Sequence, residues 1–309
     1  MINDLVSPEL CCYSPTKTKL ALSSLLKQHL ETILGEPVKT ISAVSGGDIS
    51  NAHMVTTANE RYFVKRSNDS SASAMYEAET KGLQQLAATN TIKVPIIFKI
   101  GHLGDVSYLV MEHVESKRPS EQDFERLGYQ LAQLHLAWTA TRFGNDHDNF
   151  IGSLPQSNRQ HIDWATFYVE ERLLPQLEMA MRQELLSKQQ IPPATKMRDV
   201  CQYFFGEVRP SLLHGDLWGG NYLISTDGIP YLIDPAVYVG HSEVDLAMSR
   251  LFGGFGNAFY RAYHEIISPH ENQKDCNDIY QLYYLLVHLN LFGSSYRSSV
   301  LRILGKYFR

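Results

Sequence analysis

The sequence predicts an α+β protein of two lobes, a small antiparallel sheet carrying one helix and a larger, mainly helical lobe. Residues 39–112 consist mostly of short β-branched and aromatic runs such as "RYFVKR", "VPIIFKI" and "VSYLVMEHV". One helical stretch, "SAMYEAETKGLQQLAAT", interrupts these runs. After about Pro119 the apolar residues recur at helical spacing, as in "FERLGYQLAQLHLAW", "DWATFYVEERLLPQLEMAM" and "NDIYQLYYLLVHLNLF".

The boundary between the lobes is predicted in the polar stretch "VESKRPS". We therefore place an N-terminal nucleotide-binding lobe at residues 1–113, with its first forty or so residues mostly a helical extension. The C-terminal catalytic and substrate lobe is placed at residues 114–309.

Composition excludes several classes of protein. The chain has 309 residues, 28 Lys plus Arg and 33 Asp plus Glu, so no overall positive field favours nucleic acid or anionic lipid. Its longest apolar run, "YYLLVHLNLF", is too short to span a bilayer, and its start has no signal-peptide pattern. The four cysteines follow no disulfide or metal-ligand spacing. We expect a cytoplasmic protein with no nucleic-acid or membrane partner, and the sequence predicts no particular oligomeric state.

The segment "HGDLWGGNYLISTDGIPYLIDP" carries the main chemical signal. It is predicted to be a loop leading into a hairpin of two apolar strands joined by a turn at "TDG". Asp216, Asn221 and Asp234 then converge at the ends of this hairpin. Phosphoryl transfer needs a carboxylate that orients the attacking hydroxyl and two hard oxygen ligands that hold Mg²⁺. These three residues supply that set.

Two features upstream agree with a phosphate site, although each is weak alone. Gly46 and Gly47 lie between two strand-like runs, where backbone amides could fold over phosphates. Lys65 shares a strand face with Phe63, and a buried ammonium near phosphates needs a carboxylate partner. We select Glu79 on the next helix, with Glu77, on a different face of that helix, as the alternative.

The last strand of the small lobe, "YLVMEHVE", is predicted to meet the nucleotide base. Backbone groups of Glu112 and Val114 could pair with adenine, and Met111 would back the pocket. The expected cofactors are therefore ATP and Mg²⁺.

These motifs make the chain resemble the fructosamine kinase (ketosamine-3-kinase) family, within the protein-kinase-like superfamily of small-molecule kinases. The resemblance rests on "HGDLWGGN", on "IDPAVYVGHSEVDLAMSRLFGGF" and on "IGSLPQSN" followed by "DWATFYVEERLLPQLEMA", and it covers roughly Ser42 to the C-terminus. The first motif is shared in outline with aminoglycoside and choline kinases, whereas the Trp-Gly-Gly within it is more particular to ketosamine kinases.

The resemblance implies a bilobal protein-kinase-like fold and a role for each motif residue. By this resemblance Asp216 would be the catalytic base, Asn221 and Asp234 the metal ligands, Lys65 the lysine on the α- and β-phosphates, and Glu79 its partner. The family phosphorylates the sugar 3-hydroxyl of ketosamines, free or on glycated protein lysines, and the ester then decomposes and frees the amine.

One departure from the family pattern lies beside the paired glycines. Many relatives have a cysteine after them, where this chain has Asp48. Thiol-based redox control of that loop is therefore not expected here, and the Asp48 side chain is expected to point away from the phosphates.

A ketosamine carries a secondary ammonium and several hydroxyls, which acidic and aromatic neighbours would bind. Trp218, His241, Glu243 and Asp245 lie close in sequence to the catalytic groups, and the first three are the candidate substrate contacts. Trp218 could equally be a packing residue. Asp245 could also contact substrate, but capping a helix or bracing the catalytic loop is the favoured role.

Two further histidines, His135 and His288, lie on apolar helical stripes. Both are expected to be core residues with a hydrogen-bond partner.

Two rival functions remain open on the sequence. A different small-molecule kinase, acting on an aminoglycoside, choline or homoserine, would share the catalytic loop. A non-catalytic nucleotide-binding pseudokinase would have no need of Asp216. Only residues 235–244 separate Asp234 from Asp245, which leaves little room for a peptide platform and favours a small substrate.

Overall fold

The computed structural model describes residues 15–44 and 51–309. Gly46, Gly47 and Asp48 lie outside the described residues. The strands of the N-terminal lobe are β1 (Thr40–Val44), β2 (Asn51–Thr56), β3 (Arg61–Ser67), β4 (Ile97–Leu103) and β5 (Val106–Glu112). They form a five-stranded antiparallel sheet in the order β1-β2-β3-β5-β4.

Alternation along β3 assigns its side chains to opposite faces of the sheet. Tyr62 and Val64 pack into a cluster with helix α1 (Pro15–Leu34), through Leu26 and Leu30. The predicted N-terminal extension thus includes a helix that packs directly on the sheet.

Phe63 and Lys65 point to the opposite face of the sheet, where they line a large cavity. Helix α2 (Ala72–Ala88) covers this side and contributes Tyr76 to a small apolar cluster with Met111. The predicted placement of Lys65 and Phe63 on one face is therefore correct.

The polar connection after β5 leads into helix α3 (Glu121–Ala137). A capping box begins this helix: the Asp123 amide donates to Ser120 Oγ at 3.2 Å, and the Ser120 amide donates to Asp123 Oδ2 at 2.9 Å. The predicted lobe boundary falls within this connection.

The C-terminal lobe is mainly helical, as predicted, and its core surrounds the long helix Gln273–Phe292. Its helices, with the short 3-10 and π segments given by range, are α4 (Trp164–Phe167), the π-helical turn Tyr168–Leu173, α5 (Leu174–Arg182), Lys188–Gln190, α6 (Ala194–Phe205), α7 (Glu243–Leu251), α8 (Asn257–His264), α9 (Gln273–Phe292), Ser294–Tyr296 and α10 (Arg297–Tyr307).

The C-terminal lobe also contains three antiparallel strand pairs. They are β6 (Asn149–Ile151) with β7 (Leu154–Gln156), β8 (Ser211–Leu213) with β11 (Tyr238–Gly240), and β9 (Tyr222–Ile224) with β10 (Pro230–Leu232). The β9–β10 pair is the hairpin predicted around the "TDG" turn. Within the described part of the chain, none of the helices combines the length and the apolar character that a membrane crossing requires.

Candidate active site

The loop from β8 to β9 depends on a glycine for its shape. Gly215 has a φ of 83°, which side-chain-bearing residues rarely adopt. A Cβ atom at this position would lie 2.1 Å from the carbonyl oxygen of Ala236. The close approach brings the loop against the segment after Asp234, where the Ala236 amide donates to the His214 carbonyl at 2.9 Å.

A buried carboxylate braces the same loop. Asp245, in the first turn of α7, is 0% exposed and accepts hydrogen bonds from the backbone amides of His214 at 2.8 Å and Gly215 at 2.9 Å. His135 Nε2 donates to the same carboxylate at 3.1 Å, while the Tyr284 hydroxyl on α9 donates to the Gly215 carbonyl at 2.7 Å. Of the two structural roles expected for Asp245, the structure shows the brace.

We expect Asp245→Ala to destabilise the fold by about 3–5 kcal/mol, because it leaves two buried amides and a buried histidine without an acceptor. Asp245→Asn retains one acceptor oxygen and should lose less. Equilibrium urea unfolding of both variants measures the effect. A loss below about 1 kcal/mol for the alanine variant would contradict the brace.

Asp216 lies at the turn of this loop, next to Asn221. The Asn221 Nδ2 group donates to the Asp216 carbonyl at 2.8 Å and to Asp216 Oδ2 at 3.0 Å. Burial and the nearby charge of Asp234 raise the pKa of Asp216 to about 7, against the effect of the Asn221 hydrogen bond. A carboxylate with a pKa near the working pH is suited to accept a proton.

Lys65 occupies the opposite side of the site between two carboxylates. Its ammonium donates to both oxygens of Glu79, at 2.8 and 3.0 Å, and to Asp234 Oδ1. Burial lowers the pKa of Lys65, but the charges of Asp234 and Glu79 outweigh it and hold the pKa above its usual value. The ammonium is therefore charged. It contacts Glu79, the partner selected from the sequence, while Glu77 is hydrogen-bonded to Ser73.

Asp234 has an unusual backbone conformation. Its φ is 54°, in the left-handed region that Asp and Asn tolerate better than most residues, and it is followed by Pro235. Strain of this kind concentrates at functional sites. Burial raises the pKa of the Asp234 carboxyl, but Lys65 outweighs burial and holds that pKa below its usual value.

The residues present fit a hard divalent cation. Asn221 uses its Nδ2 group on the loop, and among the described residues no hydrogen bond to its Oδ1 atom is found. With the carboxylate of Asp234, which is 41% exposed, this makes two oxygen donors at one wall of the cavity. Such donors suit Mg²⁺ or Mn²⁺ and offer nothing to a soft ion.

These groups open into a cavity of about 1130 Å³ between the lobes. Met111, Glu112 and Val114 line its outer end, where adenine was predicted. The Glu112 amide donates to the Ile96 carbonyl at 2.8 Å, so strand pairing already uses this N–H group. The pairing of other backbone groups of Glu112 and Val114 with adenine stays a prediction.

The predicted substrate contacts divide between the cavity and the core. Trp218 lines the cavity and is 40% exposed. His241 and Glu243 do not line it; they are 8% and 3% exposed, and His241 Nδ1 bonds to the Tyr280 hydroxyl at 2.7 Å. The structure does not support these two as substrate contacts, because α7 turns them into the helical core although their sequence positions are close to Asp234.

The buried His241 predicts a pH dependence of stability. Burial lowers its pKa to about 3, whereas the unfolded value is about 6.5. The unfolded chain therefore binds more protons than the folded chain between these pH values. The contribution of neutral, buried His241 to the free energy of unfolding is present above pH 6.5 and is lost as the pH falls below that value. From pH 7 to pH 5 the loss is about 2 kcal/mol. Urea unfolding of His241→Gln should show a pH dependence smaller by that amount, with the exposed His102→Gln as control; an unchanged dependence would contradict it.

The two histidines expected in the core behave differently. His135 is 0% exposed and bonds to the Tyr263 hydroxyl at 2.8 Å, as predicted. His288 is only partly buried and lines the cavity, where its ring contacts Phe252, Phe292 and Tyr296. The expected hydrogen-bond partner is present, because His288 Nδ1 bonds to the Tyr284 carbonyl at 2.8 Å. The expectation that His288 is a core residue is wrong, because this stripe of α9 continues past the core into the cleft.

Sequence reasoning missed one wall of the cavity. Met248, Phe252, Tyr284, His288, Phe292 and Tyr296 line it, together with the β6–β7 turn. The spacing of Tyr284, His288 and Phe292 by four residues is a helical stripe, which periodicity alone assigns to the core.

Both the sequence and the fold of this chain are similar to those of known kinases. Residues 22–309 match the family model described as fructosamine kinase. A "Probable ketoamine kinase" of Synechocystis is 38% identical over 287 residues, 92% of this chain and 96% of that protein. The Ketosamine-3-kinase of Mus musculus is 36% identical over 315 residues, 92% of this chain and 98% of that protein. A crystal structure of a protein provisionally named fructosamine-3-kinase, from Haemophilus somnus, superposes with a TM-score of 0.81 at 28% identity, covering 91% of this chain and 96% of that one.

Proposed function

The chain belongs to the fructosamine kinase family, and we propose that it transfers the γ-phosphoryl group of ATP to the sugar 3-hydroxyl of ketosamines. The observation that carries the proposal is the meeting of Asp216, Asn221, Asp234 and the Lys65–Glu79 pair at one cavity between the lobes. The names of the ketoamine and ketosamine kinases that resemble it support the substrate class.

ATP would lie in the cleft with its base against Met111 and its phosphates toward Lys65. The charged ammonium, held by Glu79, would bind phosphate oxygens. Asn221 and Asp234 would hold Mg²⁺, which when bound neutralises charge on the phosphates. The glycine pair predicted to cover the phosphates, Gly46 and Gly47, remains a proposal because it lies outside the described residues.

Asp216 would act on the acceptor hydroxyl. The hydroxyl oxygen forms a bond to the γ-phosphorus, the bond from that phosphorus to the ADP oxygen breaks, and the hydroxyl proton passes to the Asp216 carboxylate. Phosphoryl transfer demands mainly positioning and charge stabilisation. The Asn221 hydrogen bonds and the Asp245 brace supply the positioning, because they hold the loop that carries Asp216.

We also propose that the enzyme is cytoplasmic. Cys201 and Cys276 are buried free thiols, which are typical of a reducing compartment.

A substrate panel tests the proposed function. We expect the protein with ATP and Mg²⁺ to phosphorylate ribose-, erythrose- and glucose-derived ketosamines and glycated lysine, with mass spectrometry placing the phosphate on the 3-hydroxyl. A ketosamine lacking that hydroxyl should not react. Phosphate found on an aminoglycoside, choline or homoserine, with every ketosamine untouched, would overturn the ketosamine assignment. Nucleotide binding without any transfer would favour a pseudokinase.

A further inference from the structure

Part of the cavity wall forms an aromatic chamber, which we define by Phe252, His288, Phe292 and Tyr296. The His288 ring contacts each of the others, with ring centroids 4.8 Å from Phe252, 5.5 Å from Phe292 and 5.1 Å from Tyr296. Phe252 is 43% exposed and Phe292 is 51% exposed. Large apolar side chains left open inside a cleft indicate a ligand surface rather than core.

The chamber is continuous with the proposed catalytic loop. Tyr284 bonds to the Gly215 carbonyl, and His288 and Phe292 follow it at four-residue intervals along α9. Each interval advances roughly 6 Å along a helix. The chamber therefore begins about one helical turn from the loop that holds Asp216.

The charge of the cavity wall restricts what the chamber can bind. Among the described cavity-lining residues, the carboxylates are Glu79, Glu112, Asp216 and Asp234, and none of them belongs to the chamber. Lys65 also lines the cavity, but its ammonium is held by Glu79 and Asp234 and is not part of the chamber, and no arginine is among the described lining residues. Sugar hydroxyls and a secondary ammonium need polar partners, which lie near Asp216 and Asn221. The Nδ1 group of His288 is already hydrogen-bonded to the Tyr284 carbonyl at 2.8 Å, and a wall made mostly of aromatic rings suits hydrocarbon.

We infer that the aromatic chamber binds the hydrocarbon part of the amine that carries the sugar, and so determines which ketosamines are preferred. This inference rests on the proposed function. The sugar would lie beside Asp216 and Trp218, and the substituent on the nitrogen would extend along α9 toward Phe292. The four-carbon stem of a glycated lysine is one substituent of this chemistry.

The test uses ketosamines that share one sugar and differ only in the nitrogen substituent: methyl, propyl, hexyl and carboxymethyl. We expect kcat/KM to rise about 3- to 4-fold for each methylene that becomes buried, and the carboxymethyl compound to be the poorest substrate. Phe292→Ala should lower the hexyl-to-methyl ratio of kcat/KM by about tenfold, and Phe252→Ala should lower it in the same direction.

Phe98→Ala is the matched control. Phe98 is 50% exposed, like Phe292, but lies on edge strand β4 and does not line the cavity. The hexyl-to-methyl ratio should be unchanged in this variant. Because Phe292 and Phe252 are so exposed, their replacement should leave the fold intact, which thermal unfolding checks.

The outcomes separate this inference from the proposed function. If the methyl compound is phosphorylated but chain length has no effect, the chamber assignment is overturned and the ketosamine reaction stands. A length preference that survives both Phe292→Ala and Phe252→Ala also overturns the chamber. If no member of the series is phosphorylated, the proposed function fails and this inference fails with it.

Discussion

Asp216→Asn should lower turnover by roughly 10²- to 10⁴-fold while leaving the fold and ATP binding in place. The substitution preserves the shape of the side chain and removes the proton acceptor. The loop should keep its conformation because its main supports come from Asp245 and Tyr284, which the substitution does not touch.

Initial rates with a ketosamine, together with nucleotide binding by calorimetry, measure this effect. Asp227→Asn is the matched control: Asp227 is an exposed aspartate in the turn between β9 and β10 and should give wild-type turnover. Near-normal turnover in folded Asp216→Asn protein would remove Asp216 from the role of base.

Asp234→Asn should lower Mg²⁺-dependent turnover by about 10²- to 10³-fold, because it weakens a charged ligand of the proposed cation. Asparagine is a more specific test of the metal-ligand role than alanine. At a φ of 54° the asparagine side chain is tolerated, whereas alanine adds backbone strain that would confuse the result.

The measurement is turnover against Mg²⁺ concentration. Wild-type activity should vanish with EDTA and return with Mg²⁺, and the variant should need more Mg²⁺ for a lower maximal rate. The Asp227→Asn protein again serves as control. Unchanged Mg²⁺ dependence in the Asp234 variant would show that the hairpin end is not the metal site.

The local chemistry of the site was readable from the sequence because its residues are close along the chain. Asp216, Asn221 and Asp234 lie at the ends of one hairpin, so short-range structure is enough to bring them together. The pairing of Lys65 with a glutamate of α2 could also be predicted. Helical spacing puts Glu77 and Glu79 on different faces of α2, so the prediction had to select one of these two residues as the partner of Lys65.

Proximity in sequence misled where a chain reversal intervened. His241 and Glu243 follow Asp234 closely, yet β11 and the start of α7 carry them into the core. Only Asp245, in that same turn, reaches back to the loop, where it accepts the amides of His214 and Gly215. The sequence alone cannot show which acid of a helical turn faces the catalytic loop, because that depends on how α7 packs.

By itself, the sequence determined the two-lobe α+β architecture, the hairpin with its three polar groups and the lysine strand that faces them, because each follows from periodicity and spacing within one segment. Only the tertiary structure decided which residues form the aromatic chamber. Phe252 follows the end of α7, His288 lies in α9 and Tyr296 lies in the turn Ser294–Tyr296, and Phe252 meets the other two because α7 and α9 pack side by side. An apolar helical stripe has the same pattern whether it faces a core or a cleft, since both exclude water, and only the packed neighbours distinguish the two.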